Sequence, residues 1–261
     1  MLTAWILTIG NEILSGRVVN TNAAWLADRL TRLGIAVRRI VVVPDEEDVI
    51  AEAFREAISS ADIVISTGGL GPTFDDVTNF AVAKAVGRRL VINEDAYREV
   101  KEKYDRAGLP LTEERVKMSK MPEGARSLPN PVGTAPGILM EIGDKVVACL
   151  PGVPKEMKAI FERHLMPLLA GRSGLAYSEG SIVVTGVPES SIAPVVKKLM
   201  QEFGNVYIKS HPRGEELGAS TIEIHVSSVD RSREKALENI RTVIDRLRRE
   251  LSRLGGEIKE A

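Results

Sequence analysis

Residues 62–78 read Asp-Ile-Val-Ile-Ser-Thr-Gly-Gly-Leu-Gly-Pro-Thr-Phe-Asp-Asp-Val-Thr, an apolar run that passes through three glycines into helical spacing. This order constrains the fold more than any other stretch of the chain. Asp62 to Thr67 has the length and apolar content of a buried strand, and Val77, Phe80, Ala81 and Ala85 recur at helical spacing before Gly87. Gly68, Gly69 and Gly71 therefore occupy a strand-to-helix turn. Without Cβ atoms, such a turn reaches positive φ and lets a ligand approach the amide groups of a helix N-terminus, where an anion is favoured. Asp75 and Asp76 follow at the expected helix start. Two acids beside an anion site repel it unless a divalent metal or a proton offsets them, which points to metal-assisted phosphate chemistry. Helix capping is the competing use of the pair, so at least one is expected at ligand or metal.

The chain around this turn alternates strands and helices. Strands are expected at Ala4–Ile9, Ile35–Val43 and Asp62–Thr67, with intervening helices that place Ala23, Leu26, Ala27, Leu30 and Leu33, then Val49, Ile50, Ala53, Phe54, Ala57 and Ile58, on single faces. Asp45 is the expected N-cap of the second of these helices. The rhythm implies an α/β fold, a three-layer αβα, doubly wound, mostly parallel sheet. Helices are further expected at Asn93–Tyr104 and from about Thr112, and residues 121–137 read as one long loop. A strand pair about Gly143-Asp144 and a helix after Pro154 then complete a domain of residues 1–171. Beyond the glycine-rich Ala170–Gly174, a strand, helix, strand, strand, long helix order gives a smaller α+β domain, residues 175–261, with His211–Gly214 as a turn between strands.

Bulk properties narrow the function classes. A formal net charge of −1 over 261 residues gives no electrostatic footprint for nucleic acid or an anionic membrane. The single cysteine, Cys149, lies in an apolar run and reads as a buried structural thiol in a reducing compartment. With no basic leader and no run of membrane-spanning length, a cytoplasmic location is expected.

Ligands of open parallel sheets bind beyond the carboxyl ends of the strands. Here those ends carry Gly10-Asn11-Glu12 with Asn20 and Asn22 nearby, then Pro44-Asp45, the glycine turn, and Pro151-Gly-Val-Pro-Lys-Glu156. Glycine amides, carboxamides, acids and Lys155 at one edge suit a phosphorylated small molecule. Taken singly, Asn11 and Asn22 also fit local caps, and Lys155 and Glu156 an exposed first helical turn.

Four segments, Gly10-Asn-Glu-Ile-Leu-Ser-Gly16 with Asn20-Thr-Asn22, Thr67–Thr78, Asn130-Pro-Val-Gly-Thr-Ala-Pro-Gly137 and Leu150–Met157, are similar in sequence and order to those of the CinA-like branch of the molybdenum-cofactor-biosynthesis fold. The resemblance covers residues 1 to about 170; Asn11 stands where that family usually has an aspartate. It implies a phosphate cradled by Gly68, Gly69, Leu70, Gly71, Pro72, Thr73 and Thr78, and Asp76 and Asp75 as catalytic and metal-holding groups. The metal would be divalent, Mg²⁺, Co²⁺ or Mn²⁺. Asn130, Gly133, Thr134 and Pro136, with Pro151, Gly152, Lys155 and Glu156, would close over the ligand, beside Asn11, Glu12, Asn22 and Asp45. Residues after about 175 resemble the family's KH-like small domain but have only Phe203-Gly-Asn205 where an RNA-binding loop would be, and the deamidase domain of longer relatives is not expected here. A homodimer is a further expectation of the resemblance. The function it implies first is metal-dependent hydrolysis of ADP-ribose to AMP and ribose 5-phosphate. The alternative is molybdopterin binding or adenylylation, and a third reading is a noncatalytic nucleotide sensor.

Overall fold

The computed structural model describes residues 1–213 and 221–260. It comprises two compact units, Met1–Thr31 with Ile35–Ser173, and Arg32–Gly34 with Gly174–Ala261.

In the first unit the elements run β1 (Thr3–Ile9), α1 (Asn11–Leu14), α2 (Thr21–Arg32), β2 (Ala36–Val43), α3 (Glu47–Ser60), β3 (Ile63–Thr67), α4 (Thr78–Val86), β4 (Leu90–Ile92), α5 (Glu94–Arg106), α6 (Glu113–Lys117), β5 (Lys120–Pro122), β6 (Arg126–Leu128), β7 (Gly137–Ile142), β8 (Lys145–Leu150), α7 (Pro154–Ile160), a π-helical turn (Phe161–Leu165) and α8 (Met166–Ser173). Six strands form one sheet in the order β2-β1-β3-β8-β7-β6. The β2-β1, β1-β3 and β3-β8 pairs are parallel, whereas β7 runs antiparallel to both β8 and β6, so the sheet is mixed. From β1 the chain goes outward to β2 and then returns past β1 to β3. That reversal opens a crevice at the carboxyl ends of β1 and β3.

Both faces of the sheet are covered. Trp5, Leu7 and Ile9 of β1 and Val64 of β3 join one core with Ile50 and Phe54 of α3 and Ala81 and Val82 of α4. The alternate residues Ala4 and Ile6 are fully buried on the other face. Helix α2 buries Ala23, Leu26 and Leu30 there, and its Trp25 meets Phe161 edge-on with centroids 5.3 Å apart. Cys149 is buried in β8, and burial pushes its thiol up to about 12.

Several local expectations change. The 121–137 stretch contains β6, the sheet's edge strand, and β5 pairs antiparallel with β4; these three-residue strands are too short to leave a periodic signal. Asp45 is not the N-cap of α3. That place belongs to Glu46, which makes no side-chain cap bond, while the Asp45 carboxylate accepts from the Asn11 backbone N–H at 2.8 Å. Asp75 and Asp76 lie in a turn before α4, whose N-cap is Val77.

The second unit runs β9 (Ala176–Thr185), α9 (Glu189–Glu202), β10 (Val206–Arg213), β11 (Thr221–Asp230), α10 (Arg233–Arg253) and β12 (Glu257–Glu260). Its antiparallel sheet has the order β10-β11-β9-β12, a split β-α-β-β-α-β arrangement. Strand β12 had no sequence expectation because Glu257-Ile-Lys-Glu260 is short and mostly charged. His211, Pro212 and Arg213 continue β10 instead of turning, paired with Glu223, Ile222 and Thr221; Gly214 lies outside the described residues. Among the described residues, no helix is long and apolar enough to cross a membrane.

Candidate functional site

Strand β3 delivers Thr67 into the glycine turn at the crevice. Gly68 takes φ 108° and Gly69 φ 69°, and Cβ atoms there would stand 2.2 Å from the Ile9 carbonyl oxygen and 2.2 Å from Thr78 Oγ1. Only glycine fits this backbone beside β1 and α4. Thr78, fully buried, closes the turn: its hydroxyl donates to Gly68 O at 2.8 Å and its amide to Gly69 O at 3.0 Å. The amides of Gly69, Leu70 and Gly71 have no hydrogen-bond partner among the described residues. They are donors in want of an anion.

The turn opens onto a cavity of about 390 Å³; Thr78, expected at the ligand, does not line it, because its hydroxyl is buried and spent on Gly68 O. Around the cavity stand Gly68 to Thr73, Asp75 and Asp76 from the turn, Glu12 and Asp45 from the ends of β1 and β2, Thr134 from the loop before β7, and Pro151, Gly152 and Glu156 from the segment after β8. Ile9, Met118, Ala135 and Val153 also line it. These four are apolar, and no polar motif in the sequence marks them.

The remaining expected site residues sit behind the wall or away from it. Asn22 lines an adjoining hollow of about 90 Å³ and ties three segments together, its amide nitrogen donating to Thr67 Oγ1 at 3.0 Å and to Gly152 O at 2.8 Å. Thr67 in turn donates to Pro151 O at 2.9 Å. Asn130, 2% exposed, organises the loop before β7: its Oδ1 accepts from the Val132 and Gly133 amides, and its Nδ2 donates to Ala135 O at 2.9 Å and to Glu156 Oε2 at 2.6 Å. Gly133 is pressed against that carboxylate, since a Cβ there would meet Glu156 Cδ at 2.1 Å. Pro136 is buried and does not line the cavity. Asn11 is exposed and contributes its backbone N–H to Asp45, while Lys155 is exposed on the first turn of α7 and does not line the cavity.

Glu99 and Lys103 of α5 were not marked by any motif, yet they pin Asn130 from below. Glu99 accepts from the Asn130 amide at 2.7 Å, and Lys103 donates to Asn130 O at 2.6 Å and to Glu99. Their (i, i+4) spacing on a predicted helix was legible as a pair; its partner in the loop was not.

The carboxylates gather about Thr73. Its hydroxyl lies 2.5 Å from both Asp75 Oδ1 and Asp76 Oδ2, and its amide donates to Asp76 Oδ2 at 2.9 Å. One hydroxyl proton cannot serve two carboxylates at once. This hydrogen bond from Thr73 is the main reason the Asp75 carboxyl is held below its ordinary value. Lys117, at the end of α6, donates to the backbone carbonyls of Thr73 and Asp76. Partial burial lowers its pKa against the opposing pull of Asp76, Asp75 and Glu114. The donor set of two carboxylates and a hydroxyl matches the oxygen ligands of a hard divalent cation. Among the described residues, no group of three or more His, Cys, Asp or Glu side chains is placed to hold a metal ion.

Residues 5–171, which contain the whole cavity, match the family described as a probable molybdopterin binding domain. The chain belongs to that family. A protein of Pyrobaculum arsenaticum is 58% identical over 257 residues, covering 98% of this chain and 97% of the relative, and one of Aeropyrum pernix is 48% identical over 258 residues, covering 98% and 96%. Among solved structures, the protein CinA of Thermoplasma acidophilum, described as of unknown function, is 50% identical with a TM-score of 0.61, covering 64% of this chain and 97% of its own. The family match corrects the first functional expectation. The domain that carries the glycine turn groups with molybdopterin binding, the alternative reading, and not with ADP-ribose hydrolysis.

Proposed function

We propose that the cavity at the glycine turn binds molybdopterin by its phosphate. The observation that carries this reading is the row of amides at Gly69, Leu70 and Gly71, without partners among the described residues and lining a cavity of about 390 Å³ in a domain of the molybdopterin-binding family. Their fixed dipoles need no reorganisation to receive a phosphate. Ile9, Met118, Ala135 and Val153 offer apolar walls to a flat ring system, and Glu12, Asp45 and Glu156 offer acceptors to its N–H and O–H groups.

The finer step is adenylyl transfer. Asp75, Asp76 and Thr73 are the residues that would hold a divalent cation, Mg²⁺, Mn²⁺ or Co²⁺, which when bound supplies positive charge to offset acids and phosphates brought together. A pterin phosphate oxygen would attack the α-phosphorus of ATP, forming the P–O bond of an adenylylated pterin as the bond to pyrophosphate breaks. The chain's own part is to hold the attacking phosphate on the turn amides and to exclude water with the 130–136 and 151–156 loops, which Asn130 and Glu156 join.

The test is to incubate the purified protein with molybdopterin and MgATP and to resolve the products by chromatography. Adenylylated pterin and pyrophosphate in equal amounts, lost in Asp76→Asn, support transfer. Saturable pterin binding without product limits the function to binding, and absence of both contradicts the proposal.

A further inference from the structure

We infer that Lys117 is a positioning residue that sets the direction of the Asp75 and Asp76 carboxylates by anchoring the turn that carries them. This inference rests on the functional reading above, in which that turn meets the ligand. The turn is closed internally by Asp76 N to Thr73 O at 3.1 Å and by the Thr73 amide and hydroxyl to Asp76 Oδ2. Those bonds fix its shape but not its place on the protein. Thr73, Phe74 and Asp75 are all exposed, Phe74 to 94%. Among the described residues, Lys117 is the only side chain from outside the turn that hydrogen-bonds residues 72–76, and it holds the carbonyls at both ends, Thr73 O and Asp76 O.

The anchor is itself anchored. Asn79, 4% exposed in the first turn of α4, donates through its amide nitrogen to Lys117 O and to Lys120 O, each at 3.2 Å. The 117–120 segment is thereby tied to the helix that follows the carboxylates, while the Lys117 ammonium reaches back to the turn that precedes it. The next residue, Met118, lines the ligand cavity, whereas Lys117 lines a neighbouring hollow of about 300 Å³ with Phe74, Val77 and Phe80; Pro72 and Asp76 border both. Lys117 does not line the ligand cavity, so it holds the turn without competing for the ligand. An exposed ion pair is weak and salt-screened. Two bonds from a partly desolvated ammonium to carbonyls are charge-assisted and directional, and because they end on backbone oxygens they occupy neither the Asp75 nor the Asp76 carboxylate.

The experiment compares the full chain with Lys117→Met and Lys117→Arg by hydrogen exchange over residues 72–78 and by Mn²⁺ binding measured by paramagnetic resonance, the ion alone serving as probe. Lys117→Met is expected to raise exchange in the turn and weaken Mn²⁺ binding by about tenfold or more, the loss of a charge-assisted hydrogen bond. Lys117→Arg, which keeps the charge and two-point donation, is expected to restore both. Unchanged exchange in the turn of Lys117→Met would overturn the inference. So would a uniform rise across α4 and the main sheet, which marks a general stability lesion. If the wild-type chain binds no Mn²⁺, the metal drops out of the functional reading, and turn exchange alone still decides for or against Lys117.

Discussion

Asn130 Nδ2 donates to Glu156 Oε2 at 2.6 Å, joining the loop before β7 to the first turn of α7 at the wall of the ligand cavity. The same side chain satisfies Val132, Gly133 and Ala135, so one buried carboxamide fixes both loops. Asn130→Ala would leave the buried Ala135 carbonyl and the partly buried Gly133 amide and Glu156 carboxylate without this partner and is expected to cost about 2–4 kcal/mol in stability. Calorimetry measures that loss, and ligand binding should fall with it even under conditions where the variant is fully folded.

Gly69 and Gly71 separate folding from binding. An alanine at 69 combines a left-handed φ of 69° with a Cβ 2.2 Å from the buried Thr78 hydroxyl, so Gly69→Ala is expected to destabilise by more than the ~1–2 kcal/mol of the backbone conformation alone. At Gly71 the backbone tolerates a side chain, but its Cβ would stand 2.5 Å from Asp76 Oδ2. Gly71→Ala should unfold at nearly the wild-type denaturant midpoint while displacing that carboxylate and losing ligand affinity.

Asn22 must donate, because both of its nitrogen's partners, Thr67 Oγ1 and Gly152 O, are used as acceptors. Asn22→Asp replaces the donor with a charge facing a carbonyl and is expected to cost about 2–3 kcal/mol at neutral pH. Chemical denaturation should show part of the loss recovered as the pH is lowered and the carboxyl regains a proton to donate.

Asp62 fastens the amino end of β1. Its Oδ2 accepts from the Thr3 amide at 2.7 Å and from the Thr3 hydroxyl at 2.8 Å, and these bonds, amide first, lower its pKa from 3.8. A depressed carboxylate contributes stability that is fully present above the unfolded value and is lost as pH falls through the folded one. Asp62→Asn should therefore lie below wild type by about 1 kcal/mol at pH 7. The gap should close only below pH 3.8, which urea midpoints across an acid series would show.

How much of this was legible in sequence follows residue size and reach. The strand-glycine-helix order of 62–87 and the single-face spacing of α2 and α3 are local signals, and the structure places those elements as their periodicity demands, except that Val49, at the start of α3, is exposed. Strands β4, β5, β6 and β12 have three or four residues and owe their existence to a neighbour, so nothing in their own sequence announces them. The same limit applies at the site. Asp45 looked like a cap because its helix is next in sequence, but its carboxylate serves Asn11 across 34 residues. Lys117 and Glu99 reach the site over still longer or less patterned separations, and their partners are backbone atoms, which leave no trace in residue identity. Lys155 shows the converse: proximity to a motif did not bring its side chain to the cavity.

The most direct test of the central claim is a fluorescence titration of molybdopterin into the wild-type chain and into Gly71→Ala. The account predicts saturable one-to-one binding to the wild type and at least about a tenfold loss in the variant, the scale of one charge-assisted contact. No binding to the wild type, or equal affinity in both proteins, would contradict it.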